Sequence, residues 1–170
     1  MATTFHLRVW TRFLASPADV WALKTDPATM KAELRPWLTF CVPDGAALTR
    51  ALEGDAPADL ANSVRLGQVL PLAWPTRVES AVPRQSYRGI TKSALFNRFE
   101  HDHIFEPTPD GCRYVDSVTF SSTAPAQKLV AIALQRLFQH RHAVAAKRLP
   151  TDPQATAVAV LRVLVEEDAA

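Results

Sequence analysis

The stretch Phe99-Glu100-His101-Asp102-His103-Ile104-Phe105 holds the residues most able to do chemistry. Read as a strand, its side chains alternate. Phe99, His101, His103 and Phe105 then share one face, and Glu100, Asp102 and Glu106 share the other, which must be the solvent face. Two imidazoles on an apolar wall could orient a ligand, move a proton or bind a metal. The next stretch carries Tyr114, Asp116, Val118 and Phe120 at the same two-residue period. With that face inward, Asp116 comes beside His101 or His103 across the ladder, where a carboxylate would orient an imidazole and raise its pKa. A slip of one residue would send it outward.

Plainer roles stand beside these. A strand histidine is commonly satisfied by a carbonyl or a carboxylate and does nothing more. A metal wants a third ligand, and spacing places none; Cys41 and Cys112 form no ligand motif. Neither a metal nor a cofactor is expected. Arg141 falls among Leu137, Phe138 and Val144, where an arginine must be paired or reach the rim. It could anchor a carboxylate or phenolate of a ligand, or form an ion pair with Asp116 or Glu106. His140 and His142 read as surface residues near a helix end, where cations are favoured. Trp74, Trp37, Tyr87 and Phe96 are candidates for an aromatic wall or for plain core, and Arg88 is a second candidate anion partner. There is no glycine-rich phosphate loop, no Gly-x-Ser-x-Gly and no His-Glu-x-x-His, so no catalytic residue can be named.

The elements that must position these groups are legible from periodicity. Ala124–Pro150 reads as the longest helix, with Pro125 in its first turn and Pro150 as its stop. Val130, Ala133, Leu134, Leu137, Phe138, Arg141, Val144 and Ala145 recur at three- and four-residue steps and define one face. That face needs a broad partner. Strand-like segments from about Arg65 to Ser121 offer one, so the helix is expected on the concave side of a curved antiparallel sheet. The turn Pro107–Gly111 joins the two strands described above.

Upstream, Thr4–Leu14 alternates as a strand. Ser16-Pro17 and Asp26-Pro27 each start a short helix, the serine and aspartate as N-caps and the prolines in the first helical position. Trp37–Val42 is a short strand candidate. Residues 43–63 read as a partly helical insertion, either a lid or a solvated loop, with a further helix start at Ala56-Pro57-Ala58-Asp59. Residues 151–170 form an extension that is read as helical, although its β-branched content makes helix and strand hard to separate.

With 170 residues, one domain with a sizeable core is expected. A net charge of +2 with no basic block argues against nucleic acid. No signal peptide or bilayer-length apolar run is evident, which predicts a cytoplasmic protein with no membrane partner.

Taken together, the segments SPADVWALKTDPATMKAELRPWL, FEHDHIFEPTPDGCRYVDSVTF and LFQHRH resemble the SRPBCC superfamily, the START-like, polyketide-cyclase-like helix-grip proteins. The resemblance covers roughly residues 5–149 and implies an α+β helix-grip fold. It implies about seven antiparallel strands around the C-terminal helix, two short helices after the first strand, and a hydrophobic cavity between sheet and helix. Residues 1–150 would be the ligand-binding domain. The resemblance carries over no catalytic set; His101, His103, Asp116 and Arg141 match only a recurrent polar pattern. The expected function is binding of a small hydrophobic or aromatic molecule, with Phe99, Tyr87 and Trp74 joining those four. The alternatives are a cyclase or dehydratase that uses a pocket histidine as acid or base, and a protein-interaction module. The extension could also support a homodimer.

Overall fold

The computed structural model describes residues 3–67, 69–122, 127–152 and 157–164. Strand β1 (Thr4–Phe13) is followed by helices α1 (Pro17–Thr25) and α2 (Pro27–Leu34). Ser16 caps α1 in a reciprocal box with Asp19, and Asp26 accepts from Ala28 N and Thr29 N at the start of α2. Next come β2 (Leu38–Cys41), α3 (Gly45–Arg50), a wider helical turn over Ala51–Asp55, β3 (Ala58–Leu60), β4 (Ser63–Leu66), β5 (Leu70–Ala73), β6 (Thr76–Val82) and β7 (Ser86–Thr91). The long hairpin β8 (Phe96–Thr108) and β9 (Gly111–Ser122), helix α4 (Gln127–Ala146) and β10 (Val158–Leu164) complete the chain.

Seven strands form one antiparallel sheet in the order β10-β1-β9-β8-β7-β6-β3, and β2-β4-β5 form a small second sheet. This is the α+β helix-grip architecture, with α4 on the inner face of the sheet.

Register decides what meets α4. Across β8, β9 and β1, Phe99 pairs with Phe120 and Phe120 with Phe5; His103 pairs with Asp116 and Asp116 with Val9; Phe105 pairs with Tyr114 and Tyr114 with Thr11. Two apolar clusters result. One, at the Phe99 end, is built on Phe5, Leu7, Phe99, Phe120 and Phe138. The other, at the Phe105 end, is built on Phe13, Trp21, Tyr87, Phe105 and Tyr114. The polar residues lie between them.

Three expectations need correction. The extension is not helical where it is described: Val158–Leu164 is a strand paired with β1 from Trp10↔Val158 to Thr4↔Leu164. An open sheet edge offers a β-branched segment hydrogen bonds along its whole length, and tertiary pairing overrides a marginal local preference. The segment at Ala56-Pro57-Ala58-Asp59 leads into β3, not a helix. The buried face of α4 keeps Phe138, Arg141 and Ala145 of the expected set but is not identical to it. Ala131, Phe138, Arg141, His142 and Ala145 are buried, and Ala133 is exposed. The helix start expected at Ala124-Pro125 lies outside the described residues.

The β8–β9 turn carries a steric requirement. A Cβ on Gly111 would sit 2.1 Å from the carbonyl oxygen of Phe13 and 2.9 Å from Ala15 N, because the chain leaving β1 crosses directly over it. Backbone cannot swing away as a side-chain tip can. Gly111→Ala is therefore expected to cost at least about 1–3 kcal/mol, read as a lower urea midpoint with unchanged m-value.

Candidate functional site

Sheet alternation delivers His101 and His103 to the inner face and Asp116 opposite them, as the inward register requires. Asp116 is fully buried and forms the centre of a hydrogen-bond cluster. Its Oδ1 accepts from His101 Nε2 at 2.8 Å and from the Tyr114 hydroxyl at 2.5 Å. Its Oδ2 accepts from His142 Nε2 at 3.1 Å, and Arg141 Nη1 lies 4.0 Å away. His103 Nδ1 is 2.7 Å from the Tyr114 oxygen and 3.1 Å from Asp116 Oδ1.

These partners assign the tautomers. Tyr114 donates to the carboxylate, so its oxygen accepts from His103 Nδ1–H, and His103 Nε2 is the bare nitrogen. His142 donates through Nε2, so its Nδ1 accepts from the Thr11 hydroxyl at 2.9 Å. His142 was expected at the surface, yet it is wholly buried. A polar face assignment fails for a residue whose partner lies on another element.

Arg141 has Asp116, one of its two expected ion-pair partners, at 4.0 Å, and a second partner that was not expected. Its Nε bonds Glu33 Oε2 at 3.3 Å, while Glu106 is on the outer face with Arg113 and Arg8. Glu33 holds Lys24 Nζ through both oxygens at 2.7 Å, with both side chains essentially inaccessible. Spacing carries a signal for this pair that the sequence reading missed. Lys24 stands four residues after Val20 and three after Trp21, and Glu33 four after Thr29 and three after Met30. Each therefore shares the inward face of its helix.

Among the described residues, the buried ions are two cations, Lys24 and Arg141, and two carboxylates, Glu33 and Asp116. They balance when all three imidazoles are neutral, and the electrostatics agree. Burial pulls His101 below the ordinary imidazole value against the opposing pull of Asp116. His103 is driven well below it by burial and by His101, and His142 is lowered by burial. Burial alone would raise Asp116, but Arg141 and His101 hold it well below the usual carboxylate range. Tyr114 is raised well above the usual phenol range by burial and then by Asp116, so it remains a donor.

Beside this cluster lies a cavity of about 170 Å³ between sheet and α4. Met30 and Leu34 of α2, Leu38 and Phe40 of β2, and Leu134, Leu137 and Phe138 of α4 form much of its wall. His101, His103 and Arg141 give it a polar end, and Phe99, Tyr87 and Trp74 line it as expected. Tyr87 stacks on His103 with centroids 3.9 Å apart, and Trp74 packs edge-on against Phe96 and Phe99. Asp116 does not line the cavity; it stands behind the imidazoles. Trp37 lies outside the lining, 45% exposed against the His140 ring. Arg88 is held on the outer face by Glu79, Glu100 and Asp102. Cys112 is buried and its thiol is pushed up to about 11 by burial, while Cys41 is exposed.

One grouping among the described residues could offer a metal three ligand atoms: His101, His103 and Asp116, whose donor atoms lie within 4.8 Å of one another. Asp116 is the third ligand that spacing alone did not supply. The charge balance weighs against a divalent ion there. It would add two positive charges to a buried, already neutral set beside Arg141.

The family model described as "Domain of unknown function (DUF8410)" matches residues 11–149, and the chain belongs to that family. No curated protein matches the chain by sequence. Solved structures resemble it in fold. Protein CV1439 from Chromobacterium violaceum superposes with a TM-score of 0.65 at 15% identity, over 86% of this chain and 98% of that one. The Zhui aromatase/cyclase from Streptomyces sp. R1128 gives 0.64 at 10% identity, over 85% and 93%. Ara h 8.0201 gives 0.59 at 14%, over 87% and 97%. The fold is thus that of the SRPBCC helix-grip proteins. Among the described residues, no helix is long and apolar enough to cross a membrane.

Proposed function

We propose that this DUF8410 protein holds a small hydrophobic or aromatic molecule in the cavity between its sheet and α4. The observation that carries this is a hollow with apolar walls and one polar end, where α4 closes over His101 and His103. A helix-grip protein with no ligand role would be expected to fill that space with side chains, as protein interiors otherwise do. Affinity would come from burial, at about 25 cal/mol per Å² of apolar surface removed from water. The imidazoles and Arg141 would orient the ligand. Fold likeness to an aromatase/cyclase and to Ara h 8.0201 is compatible with this reading, but site chemistry has to carry it.

The test is native mass spectrometry of the purified protein, with Leu134→Trp as control. Leu134 is half-buried on α4 and faces the cavity. The wild type should retain a small molecule that the filled variant lacks, at similar melting temperature. Equal occupancy of both would place the molecule elsewhere and defeat the reading.

A second reading, a cyclase or dehydratase using a pocket histidine, rests on the bare Nε2 of His103. The opposite nitrogen is fixed by Tyr114 and Asp116, the arrangement a general base needs. Turnover with a pH profile that vanishes in His103→Ala would separate an enzyme from a carrier. For the interaction-module reading, which had the extension or the open groove as its surface, Val158–Leu164 is taken up in pairing with β1 and the groove is what is left.

A further inference from the structure

The small sheet β2-β4-β5 carries apolar surface that the cavity does not use up. Its register puts Leu38, Phe40, Val64, Leu66, Leu70 and Leu72 on one face. Leu38, Phe40 and Val64 line the cavity. Beyond them, toward the turn that joins β4 and β5, Leu66 is 49% exposed, Leu70 54% and Val69 85%. Trp37 belongs to the same tip: its carbonyl accepts from Gly67 N at 3.0 Å, and the residue is exposed. Single exposed leucines are ordinary, but large apolar side chains gathered at one hairpin tip mark a contact surface.

The charges that sequence and contacts place beside this tip are cations. Arg35 lies just before Pro36 and Trp37, and its carbonyl accepts from His140 Nε2 at 2.7 Å. The His140 ring packs against Trp37. Arg136 is one helical turn before His140 on α4, and Arg65 precedes Leu66 on β4. All three arginines are exposed, and none has an ion-pair partner among the described residues. Elsewhere on the surface Arg8, Arg12, Arg77, Arg88 and Arg113 each hold a carboxylate. Strand β2 runs away from the tip, so Asp44 and Glu53 follow its far end. Glu33 of α2 is buried and committed to Lys24 and Arg141.

A second copy of the chain fits this tip poorly. Two-fold packing sets the same patch against itself, and so the same guanidiniums against each other. A layer of anionic headgroups neutralises them, while the acyl region beneath takes up the aliphatic side chains. Tryptophan suits the boundary between the two. A chain with no spanning helix among its described residues can still attach in this way. We propose that the protein docks on an anionic lipid surface through the β4–β5 tip. Leu66, Val69 and Leu70 enter the lipid, Trp37 sits at the interface, and Arg35, Arg65 and Arg136 meet the headgroups.

Co-sedimentation tests this, with vesicles of pure phosphatidylcholine or of phosphatidylcholine and phosphatidylglycerol in equal parts. The wild type should pellet with the anionic vesicles, bind pure phosphatidylcholine at least about tenfold more weakly, and lose the difference as salt rises. Val69→Ser should weaken anionic binding about tenfold, equivalent to about 1.4 kcal/mol for one aliphatic side chain kept out of the lipid. Val69 is 85% exposed, so the melting temperature of this variant should match the wild type. Arg65→Gln should weaken anionic binding about fivefold and leave binding to pure phosphatidylcholine unchanged. The proposal is overturned by a wild type that does not pellet above its lipid-free control, or pellets equally with both vesicles. It is overturned equally if Val69→Ser or Arg65→Gln binds anionic vesicles as the wild type does. Dimerisation without lipid that Val69→Ser abolishes would assign the tip to a second copy instead. None of these outcomes alters whether the purified protein retains a molecule in its cavity.

Discussion

Replacing Asp116 by alanine should lower folding stability by about 3–5 kcal/mol, the cost of removing one partner from a buried charge cluster. The carboxylate is the common acceptor of His101, Tyr114 and His142 and lies near Arg141. Its loss leaves donors from β8, β9 and α4 facing an empty space, with Lys24 and Arg141 outnumbering Glu33. Asp116→Asn keeps the shape and one acceptor but not the charge, so it should fall between wild type and alanine. Chemical denaturation followed by circular dichroism measures both. A loss below about 1 kcal/mol in the alanine variant would show that the cluster is not the electrostatic keystone described here.

The same cluster sets a pH profile in two windows. His101, His103 and His142 are lowered from 6.5 by burial. Below that value the unfolded chain binds protons that the folded chain refuses, so stability falls with pH from about 6.5 downward. Asp116 is lowered from 3.8. Its contribution is complete above that value and is lost as pH drops through the lower folded one. Melting temperatures should therefore decline on acidification before any ordinary carboxylate titrates. A flat profile between pH 7 and 5 would contradict the neutral assignment of the three imidazoles.

The second large effect concerns Glu33. Glu33→Ala should cost at least about 3–5 kcal/mol, because it strands Lys24 and Arg141 together in the buried interior. Burial already pulls Lys24 below the usual ammonium range, and the pull from Glu33 offsets only part of that. The double variant Lys24→Met with Glu33→Leu should recover most of the loss, to within about 1–2 kcal/mol of wild type, since an apolar pair of similar volume needs no desolvated charge. Arg141 then still has Asp116. If the double variant is as unstable as Glu33→Ala alone, the damage comes from packing and not from charge.

The amino-acid sequence by itself determined the elements near the site. Local rules are enough for that: a proline after a capping serine or aspartate, and a two-residue alternation in Phe99–Phe105 and Tyr114–Phe120. They correctly put His101 and His103 on one face, while the inward register of Asp116, which a one-residue slip would reverse, was decided by the pairing of β8 with β9. They also placed Arg141 on the inward side of the last helix. Tertiary structure alone decided the partners. Glu33 reaches Arg141 across 108 positions of chain, and His142 meets Thr11 across 131. No periodicity in either segment encodes the other. The extension's choice of strand over helix was likewise settled by the free edge of β1, since Val158–Leu164 has no strong local preference and the sheet supplied the missing hydrogen bonds. Alternation and capping are properties of neighbours in the chain; pairing of buried charges is a property of neighbours in space, and it exists only once the two helices and the sheet have closed on each other.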